Sequence, residues 1–148
     1  MIIIISSILV NDYMSYRRIR YDTISMLIAL VIGLVLVDVL KLLLQVPRPI
    51  PRASYEENIL LKADQYSFPS GHTLRATILA YYFGDWFKKL RIVFWLWAFL
   101  VALSRIILGQ HWFSDVLASI ILAIWVSLLA KQVVRSIIVK RKNDLSRQ

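Results

Sequence analysis

Ile24 to Leu44 is a run of 21 residues in which charge appears only at Asp38 and Lys41. That length matches the ~20 residues a helix needs to cross the hydrocarbon core of a bilayer, so the run predicts a membrane helix. Directly after it, Pro47, Arg48, Pro49, Ile50 and Pro51 place three prolines in five positions. Each proline lacks an amide donor and clashes with the preceding turn, so the helix stops and a loop runs on to Phe68. Three further apolar stretches, from Gly71 to Phe87, Leu90 to about Leu108 and Trp112 to about Val139, predict three more helices. The expected fold is all-α: an integral membrane bundle of four long transmembrane helices in a single domain, residues 1–148. The first ten residues, MIIIISSILV, are apolar but too few to span a bilayer and lack the basic leader of a signal peptide. They read as a short helix or stub, as a segment at the interface, or as a sign that the true start lies upstream. No internal repeat or low-complexity tract is present.

Composition agrees and narrows the chemistry. Hydrophobic residues make up 59% of the chain, against roughly 45–50% in an ordinary soluble domain. The absence of cysteine excludes disulfides, thiolate metal sites and cysteine nucleophiles, and two histidines leave no His-rich metal cluster. The net charge of +9 fits either nucleic acid or an anionic lipid surface. The positions of the charges decide between them. Arg17, Arg18 and Arg20 precede the first long helix, and Lys88, Lys89 and Arg91 join the second to the third. Lys131, Arg135, Lys140, Arg141, Lys142 and Arg147 mark the end of the fourth and a basic tail, residues 136–148. In an alternating bundle all of these share one side, which the positive-inside rule makes cytoplasmic. Topology and lipid contact therefore account for the basicity, and nucleic acid is not expected as a partner. The opposite, extracytoplasmic side carries Lys41, the loop from Val46 to Ser70 and the turn from Ser104 to His111.

Near that outer face the alternation of helices gathers Lys41, Arg48, Ser70, Gly71, His72, Arg75, Ser104, Arg105, His111 and Asp115. Ionisable groups at a membrane helix end are costly unless paired or wet, so their convergence marks a functional site. Lys41, Arg48 and Arg105 form a cationic set whose one sequence-local carboxylate is Asp38. A phosphate ester, dianionic above a second pKa of about 6, would balance them. Arginine's planar fork grips two phosphate oxygens and lysine adds a mobile point charge. Pro69, Ser70 and Gly71 lead straight into a helix, whose first amides and dipole attract the same anion. His111 and Asp115 are four apart and share a helix face. The carboxylate is placed to accept one ring N–H and leave the other nitrogen to attack, the orienting logic of a catalytic triad with imidazole as nucleophile. His72, with no carboxylate at helical spacing, suits a proton donor to the leaving oxygen.

These residues fall into three motifs: KLLLQVPRP from Lys41 to Pro49, PSGH from Pro69 to His72, and SRIILGQHWFSD from Ser104 to Asp115. The set resembles the signature of the type 2 phosphatidic acid phosphatase family, KxxxxxxRP, PSGH and SRxxxxxHxxxD, at all eleven fixed positions and across residues 24 to 135. The resemblance implies a lipid phosphatase that uses no metal or other cofactor and works through a phosphohistidine. It makes His111 the nucleophile, Asp115 its partner and His72 the general acid, with Lys41, Arg48, Ser70, Gly71 and Arg105 holding the phosphoryl oxygens. Members of that family usually have six membrane helices, whereas this chain has four and a stub.

Plainer roles stand beside these. Lys41 and Asp38 alone would be an intrahelical ion pair worth a few tenths of a kcal/mol. Arg75, one turn past His72 and outside the signature, reads equally as a headgroup or diphosphate contact and as a side chain snorkelling to the interface. Asp85 reads as a solvated partner of Lys88 and Lys89, and the five tryptophans as packing and interface anchors. Three functions are weighed. The first is cleavage of a lipid phosphate in the bilayer, foremost a polyprenyl diphosphate, with phosphatidic acid or phosphatidylglycerol phosphate fitting the same socket. The second is a silent binder of anionic lipid, which would need no nucleophile. The third is a metal hydrolase using His72, His111 and Asp115, which the surrounding cations disfavour. Nothing in the sequence speaks to oligomeric state.

Overall fold

The computed structural model describes the backbone of residues 2–50 and 64–145, with side chains between residues 20 and 140 in those ranges and at 143 and 144. Pro51 and Arg147, and the side chains of Arg17, Arg18, Arg141 and Lys142, lie outside the described residues. Four helices follow one another: α1 (Ile2–Leu44), α2 (Gly71–Trp86), α3 (Arg91–Ile107) and α4 (Phe113–Leu145), with a 3₁₀ turn at Lys88–Leu90 between α2 and α3.

The amino-terminal decapeptide is not a separate element. No proline or glycine occurs between Ile2 and Gly33, and the backbone runs as one helix through both apolar segments. The helix ends where the prolines require. Gln45 turns left-handed at φ 49° while its amide reaches Lys41 O at 3.0 Å and its side chain reaches Leu42 O at 3.1 Å, so these two carbonyls of the last turn are satisfied before Pro47.

Three segments are long and apolar enough to cross a membrane: Arg20–Leu44, Lys88–Ile107 and Phe113–Lys140. The second apolar stretch of the sequence is different in kind. Its helix, α2, has 16 residues, about 24 Å at 1.5 Å per residue, against a hydrocarbon core ~30 Å thick. It is also the inner member of the bundle, packed against α1, α3 and α4. Thr73, Leu74, Ala76, Thr77, Ile78, Ala80, Tyr82 and Gly84 are all buried, covering most of its circumference. The apolar, aromatic character from Gly71 to Phe87 thus belongs to a helix shielded by protein more than to one bathed in lipid.

Lipid tails are as apolar as leucine, so close fit and small residues hold such a bundle together. Ala29 and Val37 of α1, Leu74, Ile78 and Tyr82 of α2, and Ala123, Val126 and Ala130 of α4 form the main core. At Gly33 a Cβ would lie 2.7 Å from Leu74 Cδ2 and 3.3 Å from Ile78 Cδ1, so the absent side chain lets α1 close on α2. Ala76 and Ala80 of α2 meet Ala98 of α3 in a second cluster, flanked by Phe94, Trp95 and Val101. The outward surface is apolar, with Ile92 81%, Ile107 74% and Leu43 73% exposed, as expected of a lipid-facing skin.

Polar residues concentrate at the two ends. At the end remote from Lys41, the Asp85 carboxylate pairs with Lys131 of α4 and, at 3.3 Å, with Arg91. Its partners are therefore not Lys88 and Lys89, the nearest cations in sequence: the helix packing brings Lys131 across and the 3₁₀ turn presents Arg91. Lys131 also lies 4.5 and 4.9 Å from the ring centroids of Tyr81 and Tyr82.

Candidate active site

The opposite end of the bundle collects four helix termini: the last turn of α1 with Lys41, the first turn of α2 with Gly71 and His72, the last turn of α3 with Arg105, and the start of α4 with Asp115. The loops between them are pinned together by backbone contacts. Ser67 N donates to Val46 O at 2.8 Å, Ile50 N to Gly109 O at 2.9 Å, and Trp112 Nε1 to Pro47 O at 2.9 Å. Gly109 adopts φ 61°, and a Cβ there would collide with Ile50, so this turn needs glycine for both conformation and space.

Between these elements lies a cavity of about 150 Å³. Lys41, Arg48, Gly71, His72, Arg75 and His111 line it, joined by Asp38, Asp64 and Gln110 and by an apolar wall of Leu34, Val37 and Leu74. Both histidines of the chain therefore face one space. The remaining predicted residues, Ser70, Ser104, Arg105 and Asp115, are not among those that line it.

Lys41 and Arg48 are each only 6% exposed. Arg48 does more than offer a fork to an anion. Its Nε and Nη2 donate to Asp64 O at 3.1 and 2.7 Å, and its Nη1 donates to Gln110 O at 2.9 Å. The guanidinium thus bridges two loops through their carbonyls. The Asp64 carboxylate lies 3.3 Å from Arg48 Nη2 and 3.5 Å from Lys41 Nζ. Sequence reasoning missed Asp64, because a contact across a proline-rich loop leaves no periodic signal.

Ser70 is a positioning residue here. Its Oγ accepts Thr73 N at 3.5 Å and Thr73 Oγ1 at 3.0 Å as the α2 N-cap. Its amide donates to Ser119 Oγ at 2.7 Å, and Ser119 Oγ donates onward to Asp115 O at 2.6 Å. Ser119, which sequence reasoning missed, thus holds the Ser70 amide and ties α2 to α4. Gly71 and His72 are the first-turn residues whose amides lack intrahelical acceptors and which line the cavity. Arg105 bonds Ser104 Oγ at 3.2 Å and Gln110 Oε1 at 3.4 Å, so it meets the cavity through Gln110. Arg75 folds back on Gly71 O at 3.0 Å and is exposed at the cavity rim.

His111 is 3% exposed. Its Nδ1 lies 3.6 Å from Asp115 Oδ2, an ion-pair separation beyond hydrogen-bond reach, and makes no hydrogen bond. The same Oδ2 accepts the Trp112 amide at 2.8 Å, reaching back over the start of α4. The predicted pair is therefore adjacent, but the carboxylate serves the helix end first. Burial, and after it the positive charge of Arg48, pushes the His111 imidazole down to about 4. It is neutral near pH 7, as a nucleophile requires. His72 has the opposite need. Burial, and after it the positive charge of Arg105 and Arg75, pushes the His72 imidazole below its ordinary range, so it is an arriving dianion that would favour its proton. Among the described residues no group of three His, Asp or Glu side chains is arranged to hold a metal ion.

Residues 22–138 match the family profile described as PAP2 superfamily. Over 124 residues, 80% of the chain, the sequence is 32% identical to a curated protein of Sulfolobus acidocaldarius named undecaprenyl-diphosphatase. The match spans 58% of that relative's length. No solved structure matches the chain.

Proposed function

The chain belongs to the PAP2 superfamily, and from that premise we propose that it is a membrane lipid phosphatase that hydrolyses a polyprenyl diphosphate to the monophosphate at the extracytoplasmic face. The observation that carries this reading is the convergence of His111, His72, Lys41 and Arg48 on one cavity at the ends of membrane-crossing helices. A tail-bearing substrate reaches such a cavity from the bilayer. The relative named undecaprenyl-diphosphatase supports the choice of lipid, and the basic clusters at the other ends of the helices support the sidedness.

In the proposed reaction Lys41 and Arg48, with the first-turn amides of Gly71 and His72, neutralise the terminal phosphoryl group, whose charge grows toward the transition state. Neutral His111 attacks phosphorus. A P–N bond forms as the P–O bond to the lipid monophosphate breaks, and His72 gives its proton to the departing oxygen. Water then displaces His111 from phosphorus while His72 takes up a proton, and inorganic phosphate leaves. Asp115 stabilises the charge that His111 acquires, its 3.6 Å separation shortening as the imidazole turns cationic. Ser70 and Arg105 act at one remove, by fixing the α2 start and Gln110. Protein cations supply the charge that a metal would, so the activity is expected to survive chelators. Residues 1–148 form a single phosphatase domain with the signature between about 24 and 135, and residues 136–148 are a basic cytoplasmic tail.

Purified protein assayed in parallel on polyprenyl diphosphate, phosphatidic acid and phosphatidylglycerol phosphate tests the substrate. Preference for either of the latter two would reassign it, since the socket reads phosphate and not the tail. Radiolabel trapped from substrate on wild type in an acid-labile, base-stable form, and absent from His111→Ala, is the expected signature of the intermediate. Full turnover by His111→Ala would remove it, and failure to cleave any lipid phosphate would leave an anionic-lipid binder as the better account.

A further inference from the structure

Asp64 places a carboxylate against the two buried cations of the cavity, Lys41 and Arg48, and this residue has two separable attachments. Its backbone oxygen receives Arg48 Nε and Nη2, which holds the loop. Its side-chain Oδ1 sits 3.5 Å from Lys41 Nζ and 3.3 Å from Arg48 Nη2. The side chain is 55% exposed whereas those of Lys41 and Arg48 are 8% and 2% exposed, so the carboxylate stands at the mouth and the cations at the base. Rotation about its side-chain torsions moves the carboxylate toward solvent without breaking the backbone anchor. Arg48 Nη2 also donates to Asp64 Oδ1 at 3.3 Å, beside its bonds to main-chain carbonyls.

We propose that Asp64 is an internal competitor for the phosphate socket: its carboxylate neutralises Lys41 and Arg48 in the empty site, yields to the incoming phosphoryl group, and returns to drive out inorganic phosphate. This rests on the phosphatase reading above. Without Asp64 the two nearly buried cations would face only Asp38 among the carboxylates of the lining, and such a socket would hold any anion more tightly, including its own product and the phosphodiester headgroups that crowd a bilayer. An internal monoanion sets a threshold that a phosphomonoester or diphosphate dianion passes more readily than a singly charged group, because attraction to the cations grows with ligand charge. Substrate affinity is lower in consequence, and product release is faster.

The test uses Asp64→Asn, which keeps size and the main-chain carbonyl and removes the charge, with Asp64→Ser as a second variant. Binding of inorganic phosphate to the purified full chain in detergent is measured by calorimetry, which needs no turnover, alongside kcat and KM on the lipid substrate. Expected for both variants is phosphate binding about tenfold tighter than wild type, the scale of one ion-pair network relieved near a surface, with a lower KM and no gain in kcat. A merely structural Asp64 gives the opposite sign, weaker phosphate binding on substitution. Equal or weaker binding by the variants overturns the proposal and leaves the socket standing. Phosphate binding by neither wild type nor variants overturns both the proposal and the reading beneath it. Tighter binding by the variants in a chain that cleaves no lipid phosphate supports Asp64 as competitor and removes the hydrolase.

Discussion

His111 Nδ1 and Asp115 Oδ2 stand 3.6 Å apart while that same carboxylate oxygen accepts the Trp112 amide at 2.8 Å, so one carboxylate both starts a helix and faces an imidazole. The two duties separate by substitution. Asp115→Asn keeps an oxygen that accepts the amide but removes the negative charge beside His111. It is expected to lower kcat by roughly 10²–10⁴-fold, the range in which triad carboxylates fall, while the thermal midpoint in detergent shifts by only a few degrees. Parallel kinetics and unfolding scans on Asp115→Asn and Asp115→Ala check this, the alanine variant losing stability as well.

Acid should affect His111 in two ways. With its folded value near 4, the imidazole stays neutral and nucleophilic down to that pH, so the acid limb of kcat/KM is expected to fall near 4 and not near the ordinary 6.5. The folded value lies below the unfolded one, so between pH 6.5 and 4 the unfolded chain binds a proton that the folded chain refuses. Stability is therefore full above 6.5 and falls as pH drops toward 4, by roughly 3 kcal/mol at most. Unfolding scans at pH 7 and pH 5 should show wild type losing more stability on acidification than His111→Gln.

Gly109→Ala is expected to destabilise the chain by about 1–3 kcal/mol, because it adds a Cβ at φ 61° against Ile50. Ile50→Ala in the same chain should recover the part due to the collision and leave the part due to backbone conformation. Thermal midpoints of the two single variants and the double variant, read as a cycle, separate the parts.

At the other end of the bundle, the side chains of Lys131 and Asp85 are 24% and 28% exposed. Lys131→Met leaves Asp85 with Arg91 alone and should cost about 1–2 kcal/mol, less than a fully buried pair because water screens it. Lys131→Met combined with Asp85→Asn should recover part of that loss. Neither variant should change kcat per folded molecule, which activity normalised to active-site titration would show.

Motif spacing made the cavity legible before any coordinates. Lys41, Arg48, His72 and His111 sit where prolines and helix ends put them, and all four line one cavity. What spacing could not carry was contact between loops. Asp64 meets Lys41 and Arg48 from a part of the chain distant in sequence, and Ser119 receives the Ser70 amide only because α4 lies beside α2. The inner position of α2 was equally hidden, since an aromatic run reads the same whether neighbouring helices or lipid surround it. Asp85 shows the limit most plainly: the lysines closest in sequence were passed over for Lys131 on another helix and Arg91 past the turn.

Arg48 ties the segment after α1 to the loop before α2 and the turn before α4 by gripping main-chain oxygens at residues 64 and 110. It works as a keystone as well as a charge. A screen for inactive variants would flag it beside His111, yet the two lesions differ in kind. Cells carrying a His111 substitution should keep normal amounts of the protein in their membranes, while those carrying an Arg48 substitution should be depleted of it.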